Sequence, residues 1–293
     1  MAAFLLSLAL NRTFIIDMTW PCSIEQILTS NRIPWSISPH INIRNHSSTI
    51  NITSLSLKDY SLLRSAHQTY TVINIQTTNI AYFDLISRYV EYSEPLFNRF
   101  ALKQEHIHIT TIYPLFYQLL IKLQPHLEEK LVRLHLNQSP LLCGHLRIGR
   151  NPSNPKDVVF PHRERMNITV LKFLQARPGR VFITTDSGDV QKLARTLFSS
   201  TDENQPSRLI EINGTIAHID RDWNYLGCRS LEKTILDFHA LSFCSLAVIS
   251  KSSFGYLAIM RRINPYEELY LYCDGIKKIN HPDDYDQFKY STC

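Results

Sequence analysis

From residue 141 onward the chain alternates short apolar runs with segments of helical period, and that alternation leaves few folds open. Residues 141–147 read as a strand, and 166–176 as a helix closed by Pro178-Gly179. A strand at 180–184 follows, then a helix at 187–198 with Ser187 as its N-cap. A strand at 208–212, a helix at 230–243, a strand at 246–250 and a helix at 252–262 complete the series. Strands separated by helices of ~10–15 residues predict a parallel sheet of Rossmann type.

Residues 1–138 are less regular. An apolar helix at 2–10 runs into a strand at 13–17, extended segments rich in glycosylation sequons occupy 41–57, and a strand lies at 70–75. A last helix is expected over 112–135, where Leu115, Leu119, Leu123, Leu127 and Leu131 recur every fourth position. The pattern changes near 138–140, which predicts domains at 1–138 and 139–293. The helix at 2–10 is shorter than the roughly 20 residues a bilayer demands. It also lacks the basic n-region and cleavage site of a signal peptide, so it reads as a buried helix. None of the eight glycines precedes Gly144. A loop that cradles a phosphate needs glycine for close backbone approach, so the first half holds no such loop.

With 293 residues, 44% of them hydrophobic, the chain has material for two cores. The balance of 31 basic and 26 acidic residues suits a small anionic ligand and argues against a nucleic-acid partner, which calls for a dense basic face. The six cysteines show no CxxC pair and no metal-ligand spacing. Cys143 and Cys244 fall within apolar periodic segments and read as small core hydrophobes, and disulfides among the others stay open. Six Asn-x-Ser/Thr sequons begin at Asn11, Asn45, Asn51, Asn137, Asn167 and Asn213, a number that leans towards a secretory lumen.

In an open parallel sheet, ligands bind beyond the carboxyl ends of the strands. Three clusters fall near such ends. His145 and Arg147 alternate on one face of a strand end before Gly149, and an arginine there can grip a diphosphate with two parallel hydrogen bonds. The bland alternative is a core histidine and an arginine tied to a carboxylate. Ser250–Gly255 follows an apolar strand and opens a helix, so hydroxyls and free N–H groups converge on an anion site or, more plainly, on an ordinary serine cap. Asp237, on the preceding helix, is either a guanine acceptor or a solvated acid.

Together these clusters resemble the HxR fucosyltransferase superfamily, which includes α1,6-, α1,2- and protein O-fucosyltransferases. His145-Leu146-Arg147-Ile148-Gly149 looks like the His-x-Arg motif. Residues 181–186 look like the strand ending in Thr-Asp, Asp237 falls in the Leu-Asp-x-His segment, and Ser250–Gly255 in the Ser-x-Ser-Ser-Phe-Gly segment. Four motifs in register over about 120 residues form a fairly specific match. Residues 4–20 resemble the family's first helix and second strand.

The resemblance implies a GT-B-like α/β fold of two Rossmann-type domains, the N-terminal one incomplete. It implies transfer of fucose from GDP-fucose to a glycan or protein hydroxyl, with inversion. Arg147 would stabilise charge on the departing GDP, and His145 would help hold the nucleotide-sugar. Ser252, Ser253, the Phe254 amide and Asp186 would bind the donor, and Asp237 would read the guanine. No divalent metal is expected as a cofactor, because arginine and helix-end amides meet the leaving-group charge. A full-length relative would work in the Golgi or endoplasmic reticulum lumen, reaching the membrane only through an upstream anchor.

The chain departs from the family pattern where a strand and glycine-rich loop would precede residue 1. Arg150 also stands where many relatives have Asp or Ser, which leaves the catalytic base unassigned between Asp157 and Glu164. A glycan-binding or scaffolding relative without catalysis is therefore the second expectation. A third is a metal-dependent transferase using Asp220 and Asp222 as D-x-D. That pair, like Asp284 and Asp286, fits a chance occurrence, and His106 with His108 lacks a third ligand nearby.

Overall fold

The computed structural model describes residues 12–36, 47–52, 72–77, 109–149, 165–200, 207–216 and 227–284, together with Phe4, Ser7 and Ser65. In chain order the first elements are β1 (Leu28–Ser30), β2 (Ser47–Ile52), β3 (Val72–Thr77), α1 (Ile109–Leu120), β4 (Ile121–Leu123) and α2 (Pro125–Arg133). They are followed by β5 (Leu141–Leu146), α3 (Met166–Gln175), β6 (Arg180–Thr185), α4 (Gly188–Phe198) and β7 (Leu209–Ile210). The last are α5 (Cys228–Ala240), β8 (Leu246–Ser250), α6 (Ser253–Ile259), β9 (Leu269–Tyr272) and β10 (Ile276–Ile279). None of the described helices is long and apolar enough to cross a membrane. The chain divides into two units, Met1–Asp17 with Thr29–Lys122, and Met18–Leu28 with Leu123–Cys293.

In the first unit β2 and β3 pair in parallel, from Ser47 opposite Val72 to Ile52 opposite Thr77. Helix α1 buries Ile112, Phe116 and Leu120, one per turn along a single face. Phe4 meets Phe116 edge-on at 5.1 Å, and Trp35 Nε1 donates to the Leu120 carbonyl at 2.5 Å. Phe4 and Ser7 are helical and buried, and the rest of the helix expected at 2–10 lies outside the described residues. Residues 13–17 do not form the expected strand. Ile16 N–H instead donates to the Trp35 carbonyl at 3.0 Å.

The continuous helix expected at 112–135 is also corrected. Gln124 is extended at ψ 145°, as a residue before proline prefers, and Pro125 opens a fresh helix. Leu123, Leu127 and Leu131 are buried as the ladder predicts, but Leu115 and Leu119 are only half-buried, because α1 turns Ile112, Phe116 and Leu120 inward instead. The first helix ends at Leu120, β4 follows, and Pro125 opens the second.

In the second unit the strands form one sheet in the order β10-β9-β8-β5-β6-β7, in which only the β9–β10 pair is antiparallel. Every residue of β5 and β8 is buried, which explains their unbroken apolar runs. From β5 the chain winds outward through β6 to β7, then returns to the other side of β5 for β8 and β9. That reversal makes the gap beyond the carboxyl ends of β5 and β8 the topological switch point, the place where such sheets bind ligands. Helices α3 and α4 pack on the sheet through Val170, Leu171, Leu174, Val190 and Ala194, which join Leu142, Leu146 and Val248 in the core. Strand β7 and helix α6 are shorter than expected, and the helix expected at 230–243 ends at Ala240 in a 3-10 turn, Leu241–Phe243.

Cys143 and Cys244 are buried as expected but are disulfide-bonded to each other, which corrects their reading as simple core hydrophobes. Cys143 lies within β5 and Cys244 just before β8, and parallel pairing brings their Cα atoms to 5.8 Å across 101 residues of sequence. A second bridge joins Cys22 to Cys228 at the start of α5, and Cys273 is also bonded. Cross-linking residues this far apart removes much unfolded-state freedom. Replacing Cys143 and Cys244 together with alanine is therefore expected to lower stability by about 2–5 kcal/mol in chemical denaturation. An unchanged midpoint would contradict this.

Candidate functional site

Strand β5 delivers His145 and Arg147 to the switch point. Arg147 N–H donates to Ser250 Oγ at 2.8 Å, so the last buried residue of β8 fastens the chain just as it leaves β5. His145 pairs with Thr184 of β6 on one side and Ile249 of β8 on the other. Its ring stacks on Phe254 with centroids 5.5 Å apart, and Phe254 meets Phe238 edge-on at 5.3 Å. A Cβ on Gly255 would lie 2.5 Å from His145 Nδ1. Only glycine lets the first turn of α6 settle over this histidine. Ser252 stands at the N-cap of α6, half-buried, with no side-chain cap bond, and Ser253 is exposed.

The end of β6 shapes the loop after β5. Asp186 is buried, and its two oxygens accept the N–H groups of Ile148 and Gly149, each at 2.8 Å. The same carboxylate forms an ion pair with the Arg147 guanidinium, whose side chain is 12% exposed. Thr185 Oγ1 donates to the Leu146 carbonyl at 2.8 Å. Asp186 thus orients Arg147 and fixes the turn through which Arg147 leaves the sheet, and both of its oxygens are committed to the chain itself.

Asp237, on α5, is buried beside Lys233, whose Nζ donates to both carboxylate oxygens at 3.0 and 2.7 Å. Thr184 Oγ1 donates to Asp237 at 3.2 Å, linking α5 to the strand that flanks His145. Burial holds the Asp237 pKa above the ordinary carboxylate value, and the charge of Lys233 opposes that rise. Two residues on, His239 is held down to about 3 by burial and by the nearby Arg261, whose Nη2 lies 3.2 Å from His239 Nδ1. His239 is a half-buried group that stays neutral at physiological pH.

Arg147, His145, Asp186, Asp237, Ser252, Ser253 and Phe254 therefore gather at the carboxyl ends of β5, β6 and β8 or on the two helices beside β8. Arg150, Asp157, Glu164, His106, His108, Asp220, Asp222 and Asp286 lie outside the described residues. Asp284 is described, and it accepts the N–H groups of Asn280 and His281 at 2.9 and 3.0 Å in a local turn. Sequence reasoning passed over Lys233, although a lysine four residues before an acid shares its helix face. It placed Thr184 and Gly255 within motifs but gave them no role, and their contacts with Asp237 and His145 become visible only once strand order is known.

No family model matches the chain, and neither does any curated protein. Among solved structures it is similar to a point mutant of Arabidopsis thaliana FUT1 in complex with GDP, with a TM-score of 0.58 and 10% identity. That likeness covers 92% of this chain, and the chain spans 65% of the length of that structure. A second similarity is to a NodZ α-1,6-fucosyltransferase co-crystallised with GDP, with a TM-score of 0.47 and 12% identity over 96% of this chain and 95% of that one. The fold is mixed α/β with a parallel sheet, of the GT-B-like kind seen in FUT1.

The buried titratable groups define two tests. Folded His239 takes up a proton only near pH 3, whereas an unfolded histidine does so near 6.5, so stability is lost as pH falls through that window. His239→Gln should flatten the dependence of melting temperature on pH between those values, and an unchanged slope would contradict the assignment. Lys233→Met leaves the Asp237 carboxylate buried without a counter-charge and should cost about 3–5 kcal/mol in urea unfolding at neutral pH. Raised Asp237 affinity for protons makes that loss smaller as pH falls towards the ordinary carboxylate range. A loss independent of pH would count against it.

Proposed function

We propose that the chain forms the donor-binding body of a fucosyltransferase, moving fucose from GDP-fucose to a glycan or protein hydroxyl with inversion. One observation carries the reading. Arg147 and the start of α6 come together at the switch point, joined by the Arg147 N–H to Ser250 Oγ bond and by His145 beneath Gly255.

As the C1–O bond breaks, negative charge gathers on the GDP leaving group, and a preorganised cation there lowers the barrier. Asp186 holds the Arg147 guanidinium at that point. Ser252, Ser253 and the Phe254 amide face the diphosphate from the other side of the switch point, and His145 supports their turn. A carboxylate accepts the paired N–H groups of a guanine only while ionised. In this reading Lys233 keeps Asp237 in that state against the pull of burial. The acceptor hydroxyl attacks from the face opposite the departing diphosphate, which inverts the anomeric centre. With arginine and amides meeting the charge, the reading needs no divalent metal. Disulfides persist in oxidising compartments, so the Cys143–Cys244 and Cys22–Cys228 bridges support a secretory lumen as the place of work.

A second reading has its own observation. Arg147 is already paired with Asp186 and Asp237 with Lys233, an arrangement equally suited to a non-catalytic relative that keeps the fold as a glycan-binding module.

Turnover of GDP-fucose by the purified chain with a panel of glycan and peptide acceptors separates the two. The enzymatic reading predicts that Arg147→Ala lowers kcat by about 100- to 1000-fold, by analogy with removal of one charge-stabilising donor. Arg147→Lys should recover only part of this, because lysine lacks the planar fork. GDP binding without turnover, unaffected by Arg147→Ala, would establish the non-catalytic reading instead.

A further inference from the structure

Glycosylation sequons are distributed along the chain, and the geometry separates those that are described. Asn167 lies in the first turn of α3, where its Oδ1 accepts the Ile168 N–H at 2.7 Å and Thr169 Oγ1 donates to the Arg165 carbonyl at 3.0 Å. Asn137 is exposed in a turn, but the hydroxyl of its partner Ser139 is buried and Pro140 follows directly. Asn51 is part of β2 and pairs with Gln76. Asn11 and Asn45 lie outside the described residues.

Asn213-Gly214-Thr215 differs from the described sequons at Asn51, Asn137 and Asn167. It forms an irregular segment after β7, at the edge of the sheet, and both Asn213 and Thr215 are exposed. Gly214 adopts a φ of +151°, and a Cβ there would lie 2.8 Å from Lys233 Cβ. All three residues of the sequon are thus at the surface, and the Gly214 backbone runs close alongside Lys233 of α5. A hydrated oligosaccharide cannot enter a core, so a glycan is compatible with folding only where the asparagine stays outside.

We propose that Asn213 is an N-glycosylation site, an inference that rests on the luminal compartment argued above. In the transfer, Asn213 Nδ2 forms a bond to C1 of the first N-acetylglucosamine of a lipid diphosphate-linked oligosaccharide. The C1–O bond to the diphosphate breaks, the amide N–H proton is lost, and the lipid diphosphate leaves. No oxidant or reductant is involved. The glycan projects from the carboxyl edge beside β7, two strands away from β5.

The test is to express the full chain behind a cleavable secretion leader in insect cells and to map its peptides after enzymatic deglycosylation in heavy-oxygen water. Conversion of Asn213 to labelled aspartate is expected. Asn213→Gln and Thr215→Val should each remove the same glycan from the intact mass without shifting the melting temperature of the deglycosylated protein. An unmodified Asn213 in secreted, leader-cleaved protein overturns the proposal, whether or not other sequons carry glycans. Because the leader supplies the compartment, that result leaves the luminal reading standing. The luminal reading fails separately, if the natural protein is found in a reducing compartment with Cys143 and Cys244 as thiols.

Discussion

The pairing of β5 with β8 is the constraint on which the rest of the second unit depends. The chain leaves β5, builds β6 and β7 on one side, and must come back to the other side before β8 can form. Residues about a hundred apart in sequence thus become neighbours, and three linkages mark the seam: the ladder from Leu142 to His145, the Cys143–Cys244 bridge, and the Arg147 N–H to Ser250 Oγ bond. The ladder lies within the buried strands, the bridge joins β5 to the residue two before β8, and the third linkage lies where the strands end. Because the connections diverge there, the seam ends at the place where open sheets of this kind bind their ligands.

Two ion pairs with little exposure lie near the carboxyl ends of these strands, and they differ in kind. Arg147 and Asp186 come from adjacent strand ends, and Asp186 also takes two backbone amides, so its charge is met by three partners. Lys233 and Asp237 lie on one helix, with Thr184 as the only tie across to the sheet shown for the carboxylate. Removing charges from water is costly, and such pairs are weak evidence of stability by themselves. Their value here is orientation. Each places a charged group at the carboxyl edge in a geometry set before any ligand arrives, the condition under which electrostatic stabilisation works best.

The regular half of the fold was legible because its central strands are buried on both faces and one of its helices, α4, carries a clear cap. Ser187 illustrates this, since its side chain accepts the Val190 N–H as a sequence-level N-cap should. The first half was harder to read, because β4 and Pro125 divide one leucine ladder between two helices and residues 13–17 form neither helix nor strand. Of the site, His145, Arg147 and Ser250–Gly255 stood out by residue type and position. The tie of Asp186 to the loop amides, the glycine contact with His145 and the cysteine bridge were hidden, because each depends on which strands are adjacent. Sequence spacing does not encode that order.

The central claim is that the switch point beyond β5 and β8 is where a guanine nucleotide binds. Hydrogen exchange of the purified chain with and without saturating GDP measures it most directly. The account predicts slowed exchange at the amides of residues 147–149 and 252–255, the two sides of that point. Protection confined to other parts of the chain, or none at a GDP concentration that saturates binding, would contradict it.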